Sequence, residues 1–511
     1  MNNKRNKKVI VIGAGLAGLS VGSYLQMNGF ETEIFESYNK PGGLCTSWKR
    51  KNFNIDGCIH FMGGLSPDEV YYPFWDKLID MKSIDFVFFD SHSVVDDKDG
   101  KRIIFYSDIN KLEQEFLSKA PEDTKQIKIL ISLIRKFNKA RFPIEKPYEL
   151  MSVTDKLKVA YTMFPYLRSM RKYLRITSHE FASRLKNPTL RYAIETAFVG
   201  HLPLFYAIMP LIWRNKKDTG YPQGGAGLIS SMMEQSYYEL GGRIHYKSKV
   251  KKIITENDAA KGVELESGDI HSCDIVINAA DGRAGIYDLL AGKYKDKNII
   301  ERYESDTFET INKTLYVAIG LNRDFSNEPR KIYFHINKPI YIDKMTTMDH
   351  LELTHYCADP SSAPKGKSLI VLMPEAKDWE YWVDLRKNDR PKYREEKQRI
   401  ADAIIATLDE KFGNIKANVE MTDVATPATY IRFTNNWTGG QISWKATKKT
   451  FGKPTTWNIK GLNNFYMTGQ WAGTSGGLNN VVMMGNHLAQ IICKDEGIEF
   501  TDQSLKKTKK E

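Results

Sequence analysis

The stretch Val9 to Gly18 constrains this chain most: Val-Ile-Val-Ile-Gly-Ala-Gly-Leu-Ala-Gly is an apolar strand running straight into Gly-x-Gly-x-x-Gly, followed by a helical pattern ending near Gly29. Gly13 permits a tight strand-to-helix turn, and Gly15 lets backbone approach a pyrophosphate, with Ala14 between them. Gly18 lets the helix pack on the strand, and the helix N-terminus offers unpaired N–H groups to phosphate. A second alternating run, Thr32 and Ile34, ends at Glu36, where a carboxylate can accept hydrogen bonds from ribose hydroxyls. With 36 glycines in 511 residues the bare spacing is weak evidence, but strand, glycines, helix, strand and acid arrive in the order a dinucleotide site requires.

Lys4, Arg5, Lys7 and Lys8 ahead of an apolar run also suit a signal peptide. No small-residue cleavage site follows, so the expectation is a cytoplasmic protein. The five cysteines are widely spaced and lack a Cys-x-x-Cys, which argues against a disulfide framework and a metal site. The longest apolar stretch, Ala197 to Trp213, is interrupted by Pro203 and Pro210 and falls short of the roughly 20 residues needed to span a bilayer.

The net charge of +12 is mostly spread among 62 acidic residues, with no nucleic-acid motif, so nucleic acid is not an expected partner. One segment differs. Across 156–175, Lys156, Lys158, Arg168, Arg171, Lys172 and Arg175 interleave with Tyr161, Met163, Phe164, Tyr166, Leu167 and Tyr173. That pattern suits a helix lying peripherally on a membrane and equally an amphipathic helix packed on its own domain. The basic run Lys506 to Lys510 reads as a solvated tail.

Pro41-Gly42-Gly43-Leu44 forms a second glycine turn close to the first, and strand signals return at Gly241 to Val250 and at Ile275 to Asn278. Near the C-terminus, a strand ending at Gly469 precedes a turn with Gly476 and Gly477 and a helix beginning at Leu478. A nicotinamide dinucleotide needs no such second contact; a flavin would find backbone N–H groups there for the pyrimidine edge of its ring. The unit suits a simple capped helix as well.

Together with Tyr221-Pro222-Gln-Gly-Gly-Ala-Gly227, Asn278-Ala-Ala-Asp281, Thr426 to Tyr430 and the segment Phe53 to Gly64, these motifs resemble the FAD-dependent phytoene desaturase family, including carotenoid isomerases and retinol saturases. The resemblance runs from residue 9 to about 490. It departs at Thr474 and Ser475, where the family carries Pro-Gly, and at Met484, where a small residue is usual.

The resemblance implies an α/β fold: a discontinuous Rossmann-like FAD-binding domain (1–110, 220–290, 455–495), an inserted α+β substrate domain with a helical, candidate membrane-contacting segment (111–219, 291–454), and a basic tail (496–511). It implies one FAD held by Gly13, Ala14, Gly15, Gly18, Glu36, Gly42, Gly43, Leu44, Val250, Gly469, Gly476, Gly477 and Leu478, and an apolar polyene or other isoprenoid lipid as substrate, with hydride exchange at the flavin. His60 is the candidate acid or base, against the plainer reading of a histidine satisfied by backbone. Tyr206, Met209 and Trp213 are expected in a substrate-domain core or tunnel. Desaturase or saturase, isomerase without net redox, non-catalytic lipid carrier and amine oxidase all remain open at this point.

Overall fold

The computed structural model describes residues 7–198, 201–311, 313–474 and 476–503. Lys4, Arg5, Ser475 and the run Lys506 to Lys510 lie outside the described residues.

The opening strand, Lys8–Ile12, becomes the centre of a five-stranded parallel sheet ordered Arg243–His245, Glu31–Phe35, Lys8–Ile12, Ile275–Asn278, Phe465–Met467. Val9, Ile10 and Val11 are fully buried, as a central strand covered on both faces demands. Each contributes about 1.5–3 kcal/mol by leaving water. The helices Leu16–Met27, Gly225–Glu239 and Leu478–Asp495 pack around this sheet. Gly18 fits there only as glycine, since an added Cβ would lie 2.0 Å from the Gly13 carbonyl oxygen.

A second sheet of seven strands carries the other core: Val419–Ala425, Tyr316–Leu321, Ser368–Leu372, Thr346–His355, Lys331–Asp343, Ser91–Asp96 and Arg102–Tyr106 in order. All neighbours are antiparallel except Lys331–Asp343 with Ser91–Asp96. This corrects the expected boundary at residue 110. Ser91–Asp96 and Arg102–Tyr106 lie inside the stretch expected in the nucleotide-binding domain, but Val94 packs into the core of the second sheet. No strand is named at either place in the sequence reading.

Helices between Ile109 and Asn215 enclose a third core, against which Tyr206 and Met209 pack half-buried. Within it, Val153–Tyr173 is a 21-residue helix opened by a capping box, Ser152 with Asp155, and interrupted by Pro165. Only Met163, Met170 and Tyr173 are buried along it, and Tyr166 leans on Phe137 at 5.7 Å. Met163, Tyr166 and Tyr173 therefore face inward rather than outward, because they supply the helix's packing stripe. Val153, Leu157, Tyr161, Phe164 and Leu167 point to solvent; Tyr161 is 85% exposed and Phe164 76%. No helix among the described residues is long and apolar enough to cross a membrane.

Candidate functional site

A cavity of about 680 Å³ lies between the two sheets and is walled at one end by backbone and at the other by side chains. Gly13, Gly15, Glu36, Gly42, Gly43, Leu44, Val250, Gly469, Gly477, Leu478 and His60 all line it. Ala14, Gly18 and Gly476 do not. Ala14 lies behind the wall and donates its N–H to Glu36 Oε2 at 2.8 Å. Gly18 backs onto Gly13, and Gly476 packs against Gln470 and Ile442.

At the backbone end the two glycine turns lock together. Gly42 N–H donates to the Ala14 carbonyl at 2.8 Å, and a Cβ on Gly43 would approach Gly15 Cα to 3.3 Å. Gly42, at φ +103°, leaves no room for a side chain, because a Cβ would stand 2.0 Å from the Cys45 carbonyl oxygen. Glu36 is fixed by two backbone donors, Ala14 on Oε2 and Tyr38 on Oε1 at 2.7 Å, and each oxygen keeps acceptor capacity for a hydroxyl.

Two helices begin at this cavity, Leu16–Met27 after Gly15 and Leu478–Asp495 after Gly477. Neither has a side-chain cap or an acidic residue in its first turn. Their N–H groups and positive dipole ends are thus left for a ligand. One unfilled N-terminus suits a pyrophosphate, and the other suits a ring edge on which negative charge develops. With Glu36 beside the first, the donor and acceptor set fits FAD.

The far end is built differently. His60 Nδ1 sits 3.1 Å from Tyr356 Oη, while Nε2 is buried without a partner. Burial, with Lys331 adding to it, depresses the imidazole pKa to about 4, so the ring is neutral at physiological pH. Lys331 and Glu352 line the cavity as an ion pair at 2.8 Å.

The segment from Phe53 to Gly64 holds His60 through Asp56, whose carboxylate accepts N–H from Cys58 (2.9 Å), Ile59 (2.8 Å) and Ala226 (3.0 Å) and the Tyr221 hydroxyl (3.1 Å). Burial nevertheless raises the Asp56 carboxyl to about 6. Arg330 donates to the His60 carbonyl at 2.7 Å and stacks on Phe89 and Tyr221. The motif beginning at Tyr221 thereby acquires a physical role: it braces the loop that carries His60.

Asp281, quoted in the sequence only as part of a motif, also lines the cavity. It accepts N–H from Ala284 (2.8 Å) and Trp437 (3.0 Å), and burial pushes its carboxyl up to about 6. His201 stands at the cavity wall on an exposed turn. Sequence reasoning missed Lys331, Glu352 and Tyr356, because nothing near them in the chain points to His60.

Residues 16–493 match the family model described as flavin containing amine oxidoreductase. The chain is 25% identical to a 4,4'-diapophytoene desaturase (4,4'-diapolycopene-forming) of Methylomonas sp., with 97% of each chain covered. It is 23% identical to a chloroplastic prolycopene isomerase of Daucus carota, over 98% of this chain and 82% of the relative. Among solved structures, cyclohexylamine oxidase from Brevibacterium oxydans superposes with a TM-score of 0.59 at 14% identity, covering 96% of this chain and all of the other, a likeness of fold.

Proposed function

The chain belongs to the flavin-containing amine oxidoreductase family and is an FAD-dependent oxidoreductase; from that premise we propose that it acts on C–C or C=C bonds of a long apolar polyene, as a desaturase or saturase. The observation that carries the reading is the cavity itself, which joins two uncapped helix N-termini and Glu36 to a far end where apolar side chains stand beside His60 and the Lys331–Glu352 pair. The relatives named for carotenoid substrates support an extended apolar substrate over an amine.

In this reading the Gly13–Gly15 turn and the first turn of the following helix hold the pyrophosphate, Glu36 the ribose, and Val250 the adenine side. Gly42, Gly43 and Leu44 hold the middle of the cofactor; Gly469, Gly477 and Leu478 hold the flavin ring. Bound FAD supplies the two-electron hydride chemistry at carbon. The chain's own part is to align an unreactive bond, exclude water and manage any proton. Ile311, Met373 and Ile442 supply apolar wall. His60, neutral and with Nε2 free, is suited to accept a proton from substrate carbon, and burial, with the Lys331 charge adding to it, keeps it unprotonated.

The substrate's route is part of the same proposal. The stripe Val153, Leu157, Tyr161, Phe164 and Leu167, flanked by Lys156, Lys158, Arg168 and Arg171, is the surface on which the protein would rest on a lipid bilayer to collect an insoluble polyene. Binding to anionic vesicles that falls when Tyr161 and Phe164 are replaced by serine checks this surface; unchanged binding removes it.

An absorption spectrum of the purified protein, followed by anaerobic dithionite reduction and addition of polyenes, retinoids or unsaturated fatty acids, tests the activity. Reduced flavin reoxidised by one polyene class, with a product that has gained two hydrogens, supports a saturase; oxidised flavin reduced by one polyene class before dithionite is added, with a product that has lost two, supports a desaturase. Product rearranged without reoxidation replaces it with isomerisation, the activity named for the Daucus carota relative.

A further inference from the structure

A second cavity, of about 530 Å³, adjoins the first and shares Glu36, Gly43, Leu44, Phe433 and Thr434 with its wall. Seven lysine and arginine side chains line it against two carboxylates, Glu36 and Asp423. Both carboxylates are already engaged. Glu36 accepts from the backbone of Ala14 and Tyr38, and Asp423 accepts from Trp48 Nε1 at 2.7 Å and pairs with Arg50 at 3.4 Å. The other six cations, Lys40, Arg386, Arg390, Arg394, Lys397 and Arg432, form no ion pair among the described residues, and none of them lines the first cavity.

Lys40, Arg386 and Lys397 are half-buried in the wall of this second cavity, and Arg390, Arg394 and Arg432 are exposed at it. Arg390, Arg394 and Lys397 follow the spacing of one helical face on Arg390–Phe412, where like charges repel. The acids that could relieve them point elsewhere, with Glu395 and Glu396 bound to Lys392 and Arg399. The same wall offers flat aromatic faces. Arg432 lies over Phe433 at 4.9 Å, Lys397 over Tyr393 at 5.3 Å, and Tyr38 meets Phe433 edge-on at 5.1 Å. Guanidinium forks grip phosphate oxygens in pairs, and aromatic faces hold a planar base. A cavity of this size is in the range of small-molecule sites.

We propose that this cavity binds a soluble phosphorylated ligand of the nucleoside diphosphate class, alongside the flavin site and distinct from it. The inference rests on the first cavity being the flavin's, since otherwise the two would compete for one dinucleotide. A ligand here touches the Glu36 and Gly43–Leu44 side of the wall, which is the non-reacting half of the cofactor. It acts on flavin retention, not as a source of electrons.

The test uses flavin-loaded protein and ADP, read by calorimetry while flavin in the ultrafiltrate is followed by absorbance. The expected result is saturable binding of ADP, weaker binding of inorganic phosphate and none of adenosine, with the flavin retained. Binding weakens at least tenfold in Arg390→Ala/Arg394→Ala and with added salt, while Lys387→Ala, which removes a cation outside the cavity from the neighbouring helix Trp379–Asn388, binds as the parent does. Absence of saturable ADP binding, or equal loss in both variants, overturns the proposal. Release of flavin by ADP also overturns it, because ADP then sits in the flavin's own site. Binding to phosphatidylglycerol vesicles that ADP does not displace, lost in Arg390→Ala/Arg394→Ala, overturns the soluble ligand in favour of a lipid headgroup. If the protein carries no flavin at all, the activity reading fails independently, and the absorbance reports that on the same sample.

Discussion

The two ends of the main cavity recognise by different means. The nucleotide end is backbone: glycines at turns, amides at two helix starts, and one carboxylate pinned by amides. The far end is side chain: His60 from a loop, backed by Tyr356, and Lys331 and Glu352 from two strands of the other sheet. Backbone recognition cannot be retuned by substitution without disturbing the fold, whereas the far end can change its chemistry residue by residue. A family with one cofactor and many substrates would be expected to divide its cavity this way.

The sharpest way to break that contrast is Gly42→Ala. If the nucleotide end is defined by backbone, a methyl placed 2.0 Å from the Cys45 carbonyl oxygen at φ +103° costs more than about 3 kcal/mol and the purified protein retains no stoichiometric flavin. Retention of full yellow colour would show that the glycine turn is not a tight constraint.

Next comes Glu36→Ala, which strands two backbone donors and removes the ribose acceptor. FAD affinity falls by about 10- to 100-fold, equivalent to about 1.4–3 kcal/mol, in an equilibrium titration of apoprotein. Glu36→Gln recovers part of it.

At the far end, His60→Phe leaves flavin content unchanged and slows single-turnover reduction of the flavin by substrate, the direction in which His60 takes the proton, by about 100-fold. In the parent protein the rate stays level from pH 8 to about 5 and falls as the imidazole, depressed to about 4, takes up a proton. His60→Phe lacks that acid limb. The stability sign follows. An unfolded chain protonates this histidine first, so the folded state loses stability as pH falls from about 6.5 towards 4. Lys331→Met removes one cause of the depression and moves the acid limb to higher pH.

The smallest effect is expected outside the cavity. Tyr161→Ser/Phe164→Ser changes thermal stability by no more than about 0.5 kcal/mol, because both side chains are solvent-exposed. A larger loss in a melting experiment would mean that this face packs on something within the protein.

The same contrast governs what could be read from the sequence. Glycines that must be glycine announce themselves by type and spacing, so the strand, both turns, Glu36 and the final helix were legible within short windows. His60 was legible only through the motif around it, and its neutral state was not, because the burial and the Lys331 charge that set it come from a strand some 270 residues away. The strand Ser91–Asp96 and its partner Lys331–Asp343 were not legible, since a two-residue period carries at most the face and not the neighbour. The exposed stripe at Val153–Tyr173 was legible as amphipathic. Which apolar residues turned inward depended on the packing of Phe137 and its neighbours.

The five strands of the nucleotide sheet come from residues 8–12, 31–35, 243–245, 275–278 and 465–467, and the second open helix start follows at Leu478. During synthesis, the first two strands therefore emerge long before the strands that must flank them. Loop closure on this scale is slow, and until then their apolar edges stay open to wrong pairing. Flavin capture consequently waits for Phe465–Met467 and the helix beginning at Leu478, and is unavailable to a nascent chain that still lacks them. A chain truncated before Phe465 would be expected to leave the ribosome colourless and to aggregate, however intact its opening motif.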